Sequence, residues 1–224
     1  MAVSETTRGQ MRDIVALYPK KRSALMPLLH LLQADDSAIT TEGIAEAGEL
    51  LGLTDAEVTA VATFYTMYVQ RPSGQYRVGV CTNSLCAILG GDAIWQALTE
   101  QTGVGHGETT ADGKVTLERI ECQAACTHAP VMTANWEFLD DMTVTSAIDV
   151  VDRLRAGEQV TSTRGPVVRS FNDNERSIAG IDDGLASEGD HRDDPTLAGL
   201  RLAKQNGDFE TAVKTQQQSA AKGN

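Results

Sequence analysis

The segment Tyr76–Cys86 reads YRVGVCTNSLC, and it decides how this chain is expected to fold. Tyr76, Val78 and Val80 alternate with other residues, and this period of two predicts a β-strand that runs straight into Cys81. A C-x4-C spacing begins where the strand ends. A strand followed by a short cysteine loop is typical of an α/β domain, in which functional sites lie at the ends of strands.

A second cysteine pair lies in Glu121–Cys126, which reads ECQAAC and has C-x3-C spacing. It follows Val115–Ile120, a predicted strand. The chain has four cysteines in total, and four thiolates are the ligand set of a [2Fe–2S] cluster and of a structural zinc ion. Spacers of four and three residues make wider loops than the C-x2-C of zinc knuckles, so the spacing favours the two-iron cluster. Zinc, disulfides and unligated thiols remain open alternatives at this point.

Composition and charge exclude several classes of protein. The net charge is −12 at pH 7, which argues against nucleic-acid binding and against direct binding to anionic lipid. No apolar run approaches the roughly 18 residues of a transmembrane helix, so we expect no direct membrane insertion. Disulfides are disfavoured because Met1–Arg8 lacks the apolar core of a signal peptide and because cysteine is too sparse for a disulfide scaffold.

Residues 1–72 are predicted to form an N-terminal helical domain. Apolar residues recur at helical spacing in three stretches. These are Met11–Tyr18, ended by Pro19; Leu25–Leu32; and Thr41–Leu51, ended by Gly52. A fourth helix opens at Thr54, with Glu57 at the spacing of a capping box. The bundle is either a docking platform or a helical cap that completes a core, and the sequence favours neither.

Residues 73–157 are predicted to form the α/β domain that carries both cysteine pairs. Besides the strands already described, the pattern predicts four elements. They are a helix at Asp92–Thr102, a turn at Asp112–Gly113, a strand at Val131–Trp136 and a helix at Thr145–Ala156 ended by Gly157. The order strand, helix, strand, strand, helix fits a thioredoxin-like sheet. The fold class is therefore α+β, a helical bundle followed by a thioredoxin-like domain.

Residues 158–224 are predicted to be a largely irregular C-terminal arm, in which only Leu197–Gln205 looks helical. By composition this segment cannot build a core of its own. It nevertheless contains more apolar residues than a linker needs, namely Val167, Val168, Phe171, Ile178 and Ile181. These favour an arm that becomes ordered on a partner surface over a disordered tail.

The sequence around the cysteines resembles a known family. The matching stretches are YRVGVC at 76–81, LCAILGG at 85–91, GETTADGKVTLE at 107–118, ECQAAC at 121–126 and APVM at 129–132. Upstream, YPKKRSALMPLL at 18–29 and VATFYTMY at 61–68 are similar as well. Together they resemble the thioredoxin-like [2Fe–2S] ferredoxin subunit of respiratory NADH dehydrogenase, which is complex I. The resemblance extends over about residues 10–155.

The resemblance implies a function and a set of site residues. The ligands of one [2Fe–2S] cluster are expected to be Cys81, Cys86, Cys122 and Cys126, with each pair on one iron. The chain would exchange single electrons with the flavin of a neighbouring NADH-binding subunit, so FMN and NADH are expected on that partner and no catalytic activity on the isolated chain. Other peripheral-arm subunits are expected partners, and the expected location is peripheral, at the cytoplasmic side of a bacterial inner membrane.

Two alternatives to this function remain. Within the family, the second choice is the corresponding subunit of an NAD-linked formate dehydrogenase or hydrogenase, which share the cysteine pattern. Outside it, a zinc-stabilised interaction module fits four cysteines.

The glycine-rich segment Gly103–Gly107 follows a predicted helix and not a strand, so it is read as a loop and not as a dinucleotide-binding fingerprint.

Several residues near the cysteines are weaker candidates. His128 is either a group that tunes the cluster or an ordinary loop residue. The hydroxyl groups of Thr82, Ser84 and Thr127 are candidate hydrogen-bond donors to cluster sulfurs. Trp95 and Trp136 are expected in the hydrophobic core.

Overall fold

The computed structural model describes residues 3–185, 189 and 194–207. It falls into two compact units, residues 1–189 and residues 190–224. Each unit is described by itself. In the described part of the chain, no helix is both long enough and apolar enough to cross a membrane.

The N-terminal part of the first unit is helical. Its helices are α1 (Glu5–Ala16), a 3₁₀ turn (Lys21–Ala24), α2 (Leu25–Asp36), α3 (Thr41–Leu51) and α4 (Asp55–Phe64). The predicted capping box is confirmed, because Thr54 and Glu57 each accept a backbone hydrogen bond from the other. Ser4 and Thr40 cap α1 and α3 through their side-chain oxygens, and Gly52 ends α3 in the left-handed conformation.

Helix α2 lies at the centre of this bundle. Leu28, Leu29 and Leu31 are fully buried. They belong to one core with Met11 and Ile14 of α1. Burial of a leucine side chain contributes about 1.5–3 kcal/mol, so this core fixes α2 as the element against which the other helices pack.

A mixed β-sheet follows. Its strands are β1 (Tyr76–Cys81), β2 (Glu108–Thr109), β3 (Val115–Ile120), β4 (Met132–Ala134) and β5 (Glu137–Leu139), in the order β2-β3-β1-β4-β5. β1 and β3 are parallel, and the other pairs are antiparallel. The connecting helices are α5 (Ser84–Ile88), α6 (Gly91–Thr102) and α7 (Val144–Ala156). The predicted thioredoxin-like α/β arrangement is confirmed.

One face of the sheet packs on α6 and α7. Val78 and Val80 of β1 are buried with Leu98 of α6 and Leu154 of α7 in a single core. The parallel register of β1 and β3 pairs Cys81 with Ile120. Both strands therefore end at the same edge of the sheet, and both cysteine loops start from that edge.

The strand predicted at Val131–Trp136 is shorter in the structure. β4 ends at Ala134 because Asn135 and Trp136 both have positive φ, 46° and 68°, and turn the chain into β5. The expected core position of Trp136 is wrong, since its half-buried ring lies against Phe171 with centroids 5.6 Å apart. Trp95 is also half-buried and packs at the border of the core.

The segment after α7 differs most from expectation. Phe171–Ile178 forms a helix, α8, although only Leu197–Gln205 looked helical. Phe171 is fully buried, as is Glu175. Val168 belongs to the core of the sheet.

The expectation that this segment becomes ordered only on a partner is therefore wrong for its first part. The segment needs no core of its own because it adds side chains to two existing ones: Val168 to that of the sheet and Ala179 to that of the helical bundle. The division of the chain at residues 72 and 157 stays a prediction. The second unit contains α9 (Asp194–Gln205), which includes the predicted helix. Residues 186–188, 190–193 and 208–224 of the predicted arm lie outside the described residues.

Candidate functional site

The four cysteines lie at the edge of the sheet where β1 and β3 end. Cys81 is the last residue of β1 and Cys86 lies in α5, and they are only 1% and 3% exposed. Cys122 and Cys126 are exposed, and Cys126 opens a 3₁₀ turn that ends at His128. All four are free thiols. The structure thus places both cysteine pairs at one end of the sheet, and their role as ligands of one group stays a prediction.

The four thiols form two pairs, each made of the two cysteines of one loop. The Cys122 and Cys126 sulfurs are 3.5 Å apart, far beyond the roughly 2.05 Å of a disulfide bond. Cys81 interacts electrostatically with the Cys86 thiol, and both interact electrostatically with Cys126. Within the described residues no three His, Cys, Asp or Glu side chains are close enough to hold one metal ion.

The protein environment opposes negative charge on Cys86 and Cys126. Burial raises the pKa of the Cys86 thiol to about 11, and the neighbouring Cys81 adds to the shift. The pKa of Cys126 is also raised, chiefly by its hydrogen bond with Cys122. Four thiolates in such a space need compensating positive charge, and a metal group supplies it when it displaces the thiol protons. The donor set of four thiols therefore fits a thiolate-bound metal group, which includes an iron–sulfur cluster and a zinc ion.

Backbone geometry in the second loop directs amide groups at sulfur. Ala124 has a φ of 56°, in the left-handed region, and its N–H group donates to Cys122 Sγ at 3.4 Å. A backbone hydrogen bond from Val131 also lowers the pKa of Cys86, against the effect of burial. Amide hydrogen bonds to thiolate sulfur stabilise its charge and tune the potential of iron–sulfur groups.

Asn83 is a site residue that the sequence reasoning missed. It lies between the first two cysteines, and its side chain reaches the second loop. Its Oδ1 accepts a hydrogen bond from the Cys122 N–H group at 3.0 Å, and its Nδ2 donates to Glu121 Oε2 at 3.1 Å. Asparagine inside a C-x4-C loop was a visible signal, but its partner follows only from the register of β1 and β3.

The weaker candidates have other positions. In the part of the chain that the structure describes, the hydroxyl groups of Thr82, Ser84 and Thr127 donate no hydrogen bond to a cysteine sulfur. His128 has Nδ1 3.2 Å from Asp141 Oδ2, so its ring contacts an acidic residue outside the cysteine set. A tuning role for His128 stays a prediction. Residues 103–107 form the loop between α6 and β2, as expected.

Two surfaces adjoin the site. Leu85, Ile88 and Leu89 of the α5 region are 43%, 81% and 53% exposed, although they flank the buried Cys86. A groove of about 640 Å³ runs over the sheet face opposite α6 and α7, from Arg77 to Gln123 of the second cysteine loop. The cysteine edge is thus bordered by an apolar helix face and by a groove that has both apolar and charged lining residues.

Comparison with known proteins identifies the family. The family model for the thioredoxin-like [2Fe-2S] ferredoxin matches residues 11–155. This chain belongs to that family. The E subunit of NADH-quinone oxidoreductase from Mycobacterium tuberculosis is 53% identical over 196 residues, which cover 87% of this chain and 78% of the relative.

A more distant relative is named as a component of the same type of complex. Subunit 2 of NADH-quinone oxidoreductase from Thermus thermophilus is 35% identical over 159 residues, covering 70% of this chain and 88% of the relative. Among solved structures, an NAD⁺-reducing [NiFe]-hydrogenase in the air-oxidised state matches with a TM-score of 0.52 at 21% identity. That match covers 58% of this chain and 23% of the hydrogenase chain, and it shows a shared fold.

Proposed function

We propose that this thioredoxin-like ferredoxin is the electron-transfer subunit of an NADH-quinone oxidoreductase, and that it holds one [2Fe–2S] cluster through Cys81, Cys86, Cys122 and Cys126. The observation that supports it most is the convergence of two cysteine pairs at one sheet edge, in a chain 53% identical to the E subunit from Mycobacterium tuberculosis. The family description supports the iron–sulfur group over zinc.

The two pairs have different tasks. Cys81 and Cys86 would hold one iron in a buried position, where neighbouring side chains exclude water. Cys122 and Cys126 would hold the other at the surface, where a partner can approach. When bound, the group supplies one-electron redox chemistry. Amide donors such as the Ala124 N–H group stabilise thiolate charge there.

The partner that we propose is the flavin- and NADH-binding subunit, which would carry FMN. The exposed pair and the apolar side chains of α5 support a protein partner at this edge, because contiguous exposed apolar surface marks interaction sites. Other peripheral-arm subunits are proposed neighbours, and the cytoplasmic side of a bacterial inner membrane is the proposed location. On this proposal the isolated chain does not oxidise NADH.

The test uses the full chain with and without the flavin subunit. NADH alone is expected to leave the visible spectrum of the oxidised chain unchanged, and NADH with the flavin subunit is expected to bleach it. Bleaching without the flavin subunit contradicts the proposal. A colourless zinc-loaded chain supports the interaction module instead.

A second candidate, the corresponding subunit of a hydrogenase or formate dehydrogenase, is favoured by the shared fold of the hydrogenase chain. Affinity purification of the chain from its native cells separates the two. Recovery of subunits of a quinone-reducing complex supports the first candidate, whereas recovery of a nickel- or molybdenum-containing subunit supports the second.

A further inference from the structure

Asn83 connects the two cysteine loops through its side chain. The amide oxygen accepts from the backbone N–H group of Cys122, and the amide nitrogen donates to the carboxylate of Glu121. Asn83 itself lies between Cys81 and Cys86 in sequence. One half-buried side chain of the first cysteine loop therefore makes two hydrogen bonds to the second loop.

The ordinary explanation for an asparagine at this position does not apply. Asn83 is the N-cap residue of α5, and asparagine at an N-cap usually accepts a hydrogen bond from an amide in the first turn of its own helix. Here the side chain makes no capping hydrogen bond. Only the backbone carbonyl oxygen of Asn83 bonds to the helix, where it accepts from the Ala87 N–H group at 2.8 Å. The side chain is thereby left to bond the opposite loop.

Apart from the bonds with Asn83, the hydrogen bonds of Cys122–Ala124 lie within the second loop, while Ala125 packs against the cluster of Cys81, Cys86 and Val131. The Gln123 side chain donates to the Glu121 carbonyl oxygen at 2.9 Å, and the Ala124 N–H group donates to Cys122 Sγ. Both bonds lie within the loop, and Cys122 and Cys126 are exposed. The bonds from Asn83 attach this loop to the buried pair.

We propose that Asn83 is a positioning residue that fixes the Cys122 loop, and with it the exposed cysteine pair, relative to Cys81 and Cys86. This inference rests on the proposed [2Fe–2S] ligation and concerns how long the chain retains the group and how uniform its surroundings are. Residues that orient metal ligands typically change metal affinity about 10- to 100-fold when removed.

The experiment compares full-length variants loaded with iron and sulfide without oxygen. Asn83→Ala is expected to lose its visible absorbance to an iron chelator about tenfold faster than the wild type. The EPR lines of its reduced cluster are expected to broaden, because Cys122 then adopts more than one orientation. Ser84→Ala is the matched control, since this exposed neighbour has no hydrogen bond to the second loop among the described residues.

A double variant tests the hydrogen bonds themselves. Asn83→Asp alone keeps an acceptor for Cys122 but loses the donor to Glu121 and places two carboxylates together. Adding Glu121→Gln restores a donor and returns the local charge to that of the wild type. The double variant is expected to recover both the retention time and the EPR linewidth, whereas Asn83→Asp alone is not.

Either of two results overturns the inference: Asn83→Ala behaving like Ser84→Ala in both measurements, or the double variant performing no better than Asn83→Asp. If far-UV circular dichroism shows that Asn83→Ala does not fold, the comparison of Asn83→Asp with the double variant decides alone. A wild-type chain that takes up no iron refutes the proposed function instead, so the two failures are distinguishable.

Discussion

Replacing His30 with leucine tests whether α8 is held by the chain's own helical bundle. His30 Nδ1 lies 2.7 Å from Glu175 Oε2, and the two side chains are 8% and 0% exposed. The other carboxyl oxygen of Glu175 has no hydrogen-bond partner within the described residues. His30→Leu therefore leaves a fully buried carboxyl group without its one polar contact.

The expected loss is large for a single substitution. Removing one partner of a buried pair costs about 3–5 kcal/mol, because the other stays buried and unpaired. For a domain of this size each 1 kcal/mol lowers the melting temperature by about 2–4 °C. A loss of about 4 kcal/mol thus corresponds to about 8–16 °C.

Urea unfolding of the full chain, followed by far-UV circular dichroism, measures the loss as a change in the free energy of unfolding. Arg22→Ala, which breaks the exposed Arg22–Glu57 ion pair, is the control and is expected to leave stability nearly unchanged. The double variant His30→Leu with Glu175→Leu is expected to recover part of the loss, because no polar group remains unpaired. If His30→Leu unfolds at the same urea concentration as the control, the His30–Glu175 contact does not hold α8 on the helical bundle.

Three further predictions concern other parts of the molecule. Hydrogen bonds from the Thr54 backbone N–H group, the Arg22 guanidinium and the Thr54 hydroxyl lower the pKa of Glu57 to about 2. The stabilising effect of the Glu57 carboxylate is therefore present above its unfolded pKa of about 4.3 and is lost as pH falls toward 2. Thermal unfolding at decreasing pH is expected to show a smaller loss of stability in Glu57→Gln than in the wild type, and equal losses contradict this. Ile88→Glu changes a side chain that is 81% exposed. It is expected to leave the visible spectrum unchanged and to weaken binding to the flavin subunit about tenfold in calorimetry. Unchanged affinity would exclude α5 from the interface. Cys126→Ser is expected to lower the iron content while the circular dichroism spectrum stays that of the wild type, and full iron retention excludes Cys126 as a ligand.

The sequence predicted the elements whose signals are local. The alternation at Tyr76–Val80 predicted the strand that delivers Cys81, and the Thr54 capping box predicted the start of α4. Both patterns reflect contacts within a few residues, so neighbouring parts of the fold do not alter them. The pairing of the two cysteine loops followed from the same reasoning, since each comes directly after a strand.

The sequence did not predict the elements that depend on distant contacts. The helix α8 has a polar sequence, FNDNERSI, and it is fixed by burying Phe171 and Glu175 against parts of the chain far away in sequence. The strand predicted through Trp136 ended early because a bulky residue adopts positive φ there, which sequence patterns do not favour. The contact from Asn83 to Cys122 exists only because the sheet register brings the two loops together.

Metal and sulfide analysis of the full chain, purified without oxygen, directly tests whether the four cysteines hold a [2Fe–2S] cluster. We expect about two irons and two acid-labile sulfides per chain, a red-brown visible spectrum and an EPR signal after one-electron reduction. A chain that contains zinc, no iron and no visible absorbance would contradict this expectation, because the four cysteines would then hold a structural ion and the chain would carry no electron.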